Sequence, residues 1–203
     1  MFRPVVYPVI AAVFLAAACG DKPAATASSA DAAATAEADG EKKPENISQE
    51  LLDKLKETKN EAEAASLEEE IWDAWLVSGS ATVDTLMKRG LEYQAHEDIE
   101  GARDAFDKAI AIKPDYAEAW NRRAVLFFND GKYDEAIKDL ETAITYEPRH
   151  FGAWIGLAMI FESVDRPEAA LKAYEKALDI HPNAQAAQQG KKRLERAVNG
   201  RDL

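Results

Sequence analysis

The chain has 203 residues, enough for one domain of ordinary size and some additional sequence. Hydrophobic residues make up 47% and charged residues 31%, so a core and a solvated surface are both available. A formal net charge of -12 opposes docking on phosphate backbones, or on anionic lipid through a basic patch, and nucleic acid is not an expected partner.

Residues 1–18 have the layout of an export signal. Arg3 supplies a short positive region, an apolar stretch over 5–18 follows, and Ala16, Ala17 and Ala18 directly precede Cys19. The apolar stretch is short for a bilayer span. Leu15-Ala16-Ala17-Ala18-Cys19 resembles the lipobox of bacterial lipoproteins, with leucine one step further from the cysteine than the usual pattern. The resemblance implies that Cys19 is lipidated and becomes the first residue after cleavage. The alternative is an ordinary cleavable signal that leaves Cys19 unmodified. Because Cys19 is the only cysteine, an intrachain disulfide and a multi-cysteine zinc site are both excluded. The segment 19–46 is rich in Ala, Ser, Thr, Asp, Glu, Lys and Pro, and it reads as an unfolded tether.

Two helices are predicted next, over 48–59 and 61–77. Leu51, Leu52 and Leu55 form an apolar stripe on the first; Leu67, Ile71, Ala74 and Trp75 form one on the second. Ser78-Gly79-Ser80 ends the pair.

From Val83 onward, seven columns of residues recur at a spacing of 34. They are Leu86, Trp120, Trp154; Gly90, Ala124, Ala158; Tyr93, Phe127, Phe161; Ala102, Ala136, Ala170; Phe106, Leu140, Tyr174; Ala109, Ala143, Ala177; and Pro114, Pro148, Pro182. The first three columns share one helical face, and the next three share a face of a second helix. The proline ends that second helix, having no N–H to donate. Gly131 falls between the helices of the middle unit, where a left-handed residue is often needed. Glu97 and Asp165 hold the same place in the others, so glycine is not obligatory there.

This pattern of large, small and aromatic residues followed by Ala, a large residue, Ala and Pro resembles the tetratricopeptide repeat. The resemblance implies an all-α, right-handed superhelix of antiparallel helix pairs. Its full repeats are 83–116, 117–150 and 151–184. Residues 185–203 follow as a capping helix and tail, with polar Gln188, Lys192 and Glu195 in the first three columns. The region 47–82 reads as a degenerate first repeat. The stretch from Glu68 to Gly90, with three repeats behind it, also resembles small exported bacterial tetratricopeptide proteins of unassigned activity.

Family geometry places repeat positions 2, 5, 9 and 12 on the concave face. Six apolar residues fall there, Met87, Leu91, Val125, Phe128, Ile155 and Met159, together with Asn121. A groove of that composition suits an apolar peptide or helix from a partner protein. The other possibility is that the capping helix or the N-terminal pair folds into the groove and buries these residues. In some family members Lys and Asn in the groove clamp acidic peptide ends. Met87 and Leu91 stand at the first two clamp positions here, so that recognition is not carried over. Arg122 and Arg123 are expected to pair with local carboxylates.

No catalytic arrangement, phosphate loop or metal-ligand spacing is found, so neither enzyme activity nor a cofactor or metal is expected. His96, His150 and His181 are scattered. The last two neighbour prolines at helix ends, where a cation complements the helix dipole. The expected function is an exported scaffold, anchored to a membrane of the bacterial cell envelope through Cys19, that binds a protein or peptide. A soluble periplasmic adaptor, or a regulatory subunit of an envelope enzyme complex, is the alternative.

Overall fold

The computed structural model describes residues 44–199. The export-type segment and Cys19 lie outside the described residues. Among those described are nine helices and no strand: α1 (Pro44–Glu57), α2 (Glu61–Trp75), α3 (Ala81–Ala95), α4 (Ile99–Ile112), α5 (Ala117–Asn129), α6 (Tyr133–Tyr146), α7 (Phe151–Ser163), α8 (Pro167–Ile180) and α9 (Gln185–Asn199). Helix α1 begins with Pro44 in its first turn, where the missing N–H costs nothing, and so takes in the last residues assigned above to the tether.

Helices α3–α4, α5–α6 and α7–α8 are antiparallel pairs stacked in chain order. Their interiors follow the 34-residue columns. Ala102, Ala136, Ala170, Ala109, Ala143 and Ala177 are fully buried, and Phe106, Leu140 and Tyr174 fill the space between them. The small column is a steric requirement: a Cβ on Gly90 would sit 2.3 Å from the ring of Phe106. The large first column is half-buried, and its two tryptophans spend their polar atom on the joint before them. The indole N–H of Trp120 donates to Pro114 O at 2.8 Å, and that of Trp154 donates to Pro148 O at 3.0 Å. Gln188 of α9 makes the same bond to Pro182 O at 2.7 Å, without the ring.

Each pair is closed by one residue in the left-handed region, Glu97 at φ 61°, Gly131 at 73° and Asp165 at 54°. The following N–H then reaches back to the aromatic column. Asp98, Lys132 and Arg166 donate to the carbonyls of Tyr93, Phe127 and Phe161 at 2.9, 2.9 and 2.8 Å.

Two further columns join one repeat to the next. Ala119, Ala153 and Ala187 are buried, as are Leu126, Ile160 and Leu194. In the first repeat the same two places hold Thr85 and Glu92, both exposed. Helix α3 therefore turns a polar face to the side where a preceding repeat would stack. This corrects the reading of 47–82 as a degenerate first repeat. The α1–α2 pair does not continue the stack; it crosses the joints between the repeats and is referred to below as the strap.

The three left-handed residues yield a stability test. A non-glycine residue there bears a steric penalty of roughly 1–2 kcal/mol, partly offset because glycine loses more chain entropy on folding. Glu97→Gly and Asp165→Gly should each stabilise the fold by about 0.5–1 kcal/mol, and Gly131→Ala should destabilise it by a similar amount, as measured by urea or thermal unfolding.

Candidate functional site

The strap meets the solenoid at three successive joints. At the first, the hydroxyl of Tyr116 donates to Trp75 O at 2.6 Å, and Lys113 Nζ donates to Ser78 O at 2.8 Å. Ser78 also donates from its N–H and hydroxyl to Asp84 Oδ1, at 2.7 and 2.5 Å. At the second, Trp75 stacks on His150 with ring centroids 4.1 Å apart, and Trp72 meets Phe151 edge-on at 5.4 Å. Arg149 reaches α1 there, pairing with Asp53 at 2.8 Å and Gln49 at 3.0 Å. At the third, His181 Nε2 lies 3.2 Å from Glu68, and Asn183 donates to Thr58 O at 3.1 Å. Leu52, Leu55, Ala64, Leu67, Ile71 and Trp75 form one apolar cluster with Phe151.

Repeat position 2 on the concave face serves this contact in all three repeats. Asp84 holds Ser78. Glu118 supports His150 beneath the Trp75 ring. Gly152 leaves room for Trp72, whose Cη2 would lie 2.5 Å from a Cβ at that position. Glu118, only 1% exposed, is the centre of a buried polar network. Its carboxylate takes bonds from Arg122 Nε, from Asn121 Nδ2 at 3.1 Å and from His150 Nε2 at 2.9 Å. The imidazole is the Nε2–H tautomer, because Nδ1 accepts the Ala153 N–H at 3.1 Å and so caps α7. Burial opposes the charge on Glu118, but Arg122 and the His150 hydrogen bond outweigh it and hold the carboxyl below its ordinary range. The hydrogen bond from His181 likewise lowers Glu68, against a smaller opposing effect of burial. Burial and the Glu118 charge push the Tyr116 hydroxyl up, so it stays protonated and donates to Trp75 O.

The seven groove residues divide in two. Met87, 1% exposed, is core, packed in the cluster with Val83 and Phe106, and is not available to a partner. Asn121 is 6% exposed and bonded to Glu118, so it too is withdrawn from recognition. Ile155 packs against the strap cluster. Leu91, Val125, Phe128 and Met159, at positions 9 and 12, are half-buried, with Leu91, Phe128 and Met159 packed in part against the repeat cores. The strap thus serves as the occupant of the lower groove, at positions 2 and 5, and Leu91, Val125, Phe128 and Met159 lie outside its cluster. Phe128 leans on Tyr133 at 5.9 Å along one side of it. Arg122 and Arg123 pair with carboxylates as expected, Arg123 with Asp139 at 2.7 Å and Asp107 at 2.6 Å.

His150 and Glu118 were not visible as partners in the sequence. They are 32 residues apart, and their counterparts one repeat away are Tyr116 with Asp84 and Ala184 with Gly152, so no column marks them. The one signal was the residue type, an acidic side chain at concave position 2, which the first repeat shares in Asp84. Among the described residues, no group of three or more His, Cys, Asp or Glu could hold a metal ion. None of the described helices is long and apolar enough to cross a membrane.

Residues 87–140 and 124–185 match the tetratricopeptide repeat family. A TPR repeat-containing protein of Rhizobium etli is 40% identical over 98 residues, 48% of this chain and 48% of that protein. An uncharacterised protein of Methanocaldococcus jannaschii is 39% identical over 49 residues, 24% of this chain and 57% of that protein. The chain therefore spans about half the length of the curated relatives it matches. Among solved structures, the first TPR of Spaghetti, bound to an HSP90 peptide, superposes with a TM-score of 0.57 at 22% identity, covering 59% of this chain and 95% of that one. The Sgt2 TPR domain of Aspergillus fumigatus gives 0.57 at 23% identity, covering 61% and 83%. The fold is an all-α tetratricopeptide-repeat solenoid.

The Glu118 network has a pH signature. Glu118→Gln should cost about 3 kcal/mol near pH 7, the lower end for breaking a buried ion pair, because Arg122 keeps part of its side chain in water. The lowered carboxyl contributes stability in full above its unfolded value of about 4.5, and that stability is lost as pH falls through the folded value. The gap between wild type and variant should therefore be constant above pH ~5 and close below it, as followed by urea unfolding down to pH ~3.

Proposed function

We propose that this chain is a non-catalytic scaffold that receives a segment of a partner protein in the upper half of its concave face. The observation that carries this reading is the half-buried apolar row Leu91, Val125, Phe128 and Met159, none of which packs in the strap cluster that fills the lower half. Burying one such side chain contributes about 1.5–3 kcal/mol, so three or four of them suffice for a specific contact of moderate affinity. The first TPR of Spaghetti, a structural neighbour, is bound to an HSP90 peptide, which fits a groove of this fold as a peptide receptor. The acid-specific clamp does not transfer, since Met87 is core and Leu91 is apolar. We further propose that the chain is exported and held at the bacterial cell envelope by a lipid on Cys19. That part rests on the arrangement of residues 1–19 alone.

Both parts are open to direct measurement. A photo-crosslinking amino acid in place of Val125 should capture a discrete partner from native envelopes. The same group in place of Lys138, exposed on the second helix of that repeat, should not. Equal capture at both sites, or none at Val125, contradicts the groove reading. For the anchor, Cys19→Ser should abolish labelling by a fatty-acid probe and release the protein from the membrane fraction. Unchanged membrane partition contradicts it.

A further inference from the structure

We propose that the joint between the first two repeats carries a second contact, a cleft that receives an aromatic side chain of a partner protein. The cleft lies between the start of α4 and the end of α5 and has a volume of about 370 Å³. That is within the range of ligand pockets, roughly 300–1,000 Å³. Its apolar lining is Ile99, Leu126 and Phe127, and its polar lining includes Arg103, Asp130 and Lys132. Ile99 is 43% exposed, one of the few large apolar residues among those described to face solvent so openly.

The later joints show what such a place holds when the chain fills it. Ile99 and Arg103 are positions 17 and 21 of the first repeat and line the cleft with the end of the next repeat's first helix. The same positions are Tyr133 and Ile137 in the second repeat, and Pro167 and Leu171 in the third. Tyr133, Ile137 and Leu171 pack against the core cluster there, and Pro167 is buried. On the facing helix, exposed Asp130 corresponds to half-buried Val164 at the second joint. An arginine and an aspartate thus stand at the first joint where the second has an isoleucine and a valine, and the apolar lining between them is left open.

The group missing from the first joint is the ring that Tyr133 supplies one repeat later. Asp130 and Lys132 are spent on each other at 2.6 Å. Arg103 is exposed, and among the described residues it has no ion-pair partner. Its guanidinium is therefore available to cover a ring. The chain already uses that contact close by, where Arg123 lies over Trp120 at 4.9 Å and over Phe127 at 5.7 Å. A guest ring would meet Ile99 and Phe127 and be covered by Arg103. An aliphatic side chain would bury area in the cleft but gain neither the ring–ring nor the cation contact. Glu100 also lines the cleft, so its two basic and two acidic residues balance, which suits a neutral ring better than an ion.

The test uses the full chain and two neutral probes, N-acetyl-tyrosinamide and N-acetyl-leucinamide, followed by amide shifts in NMR. The tyrosine probe should shift the amides of Phe127, Asn129 and Lys132 saturably, with a Kd on the order of 1 mM. The leucine probe should bind about fivefold more weakly, the size of an aromatic contact beyond its buried area. Arg103→Ala should weaken the tyrosine probe about threefold. Ile99→Tyr with Arg103→Ile rebuilds the second joint at the first. That double variant should abolish the shifts and raise the melting temperature, because the chain then fills its own cleft. Shifts that do not saturate, or that persist in the filled variant, would overturn the proposal. So would equal binding of the two probes, or an unchanged affinity in the Arg103→Ala variant. Free tyrosine binding more tightly than the blocked probe would assign the cleft to a small molecule and overturn the partner side chain.

Discussion

The indole of Trp75 stacked on His150, with Trp72 set edge-on against Phe151, is the contact on which the remaining arrangement depends. A helical solenoid couples each repeat to its neighbours only. Here one helix, α2, reaches from Tyr116 at the first joint through His150 at the second to His181 at the third. Residues that are far apart along the stack thereby share a partner. The tryptophans supply apolar area, and the Glu118 network keeps His150 in the orientation that receives them, with one ring nitrogen on the carboxylate and the other on the Ala153 N–H.

That contact also apportions the concave face. Positions 2 and 5 of each first helix serve the strap or the core, through Asp84, Glu118 and Gly152 and then through Met87, Asn121 and Ile155. At positions 9 and 12 Glu162 is engaged by Arg193, and the half-buried Leu91, Val125, Phe128 and Met159 are the positions the strap leaves open. By spanning three joints the strap also restrains the angles between repeats, so the open positions are presented on a surface whose curvature is already set. Preorganisation of this kind lowers the entropy lost on binding without adding any contact to the partner.

The repeats were legible because each of their columns answers a local steric need that recurs every 34 residues. Gly90 gives way to the Phe106 ring, the alanines let helices approach, and the prolines end them. The end of the stack was legible too, in Thr85 and Glu92, which stand where later repeats place Ala119 and Leu126. The apolar stripes of the α1–α2 pair have the period of a further repeat, and only those two polar residues speak against it. That the N-terminal pair folds into the groove was one of two readings the sequence allowed, but the contacts that dock it were not legible. Trp75 and His150 are 75 residues apart in sequence, and aromatic stacking between them obeys no spacing rule. For the same reason Met87 read as a groove residue: its concave position is correct, but in the first repeat the core extends to that place.

If the strap is an integral part of the solenoid and not a passenger on it, its loss must be felt at a distance. Native-state hydrogen exchange on a chain with Trp72→Ala and Trp75→Ala measures this most directly. The account predicts that amides of α1 and α2 lose protection and that amides of α5 to α8 lose about 3 kcal/mol with them, the scale of a buried aromatic contact. Loss confined to α1 and α2, with α5 to α8 protected as before, would contradict it.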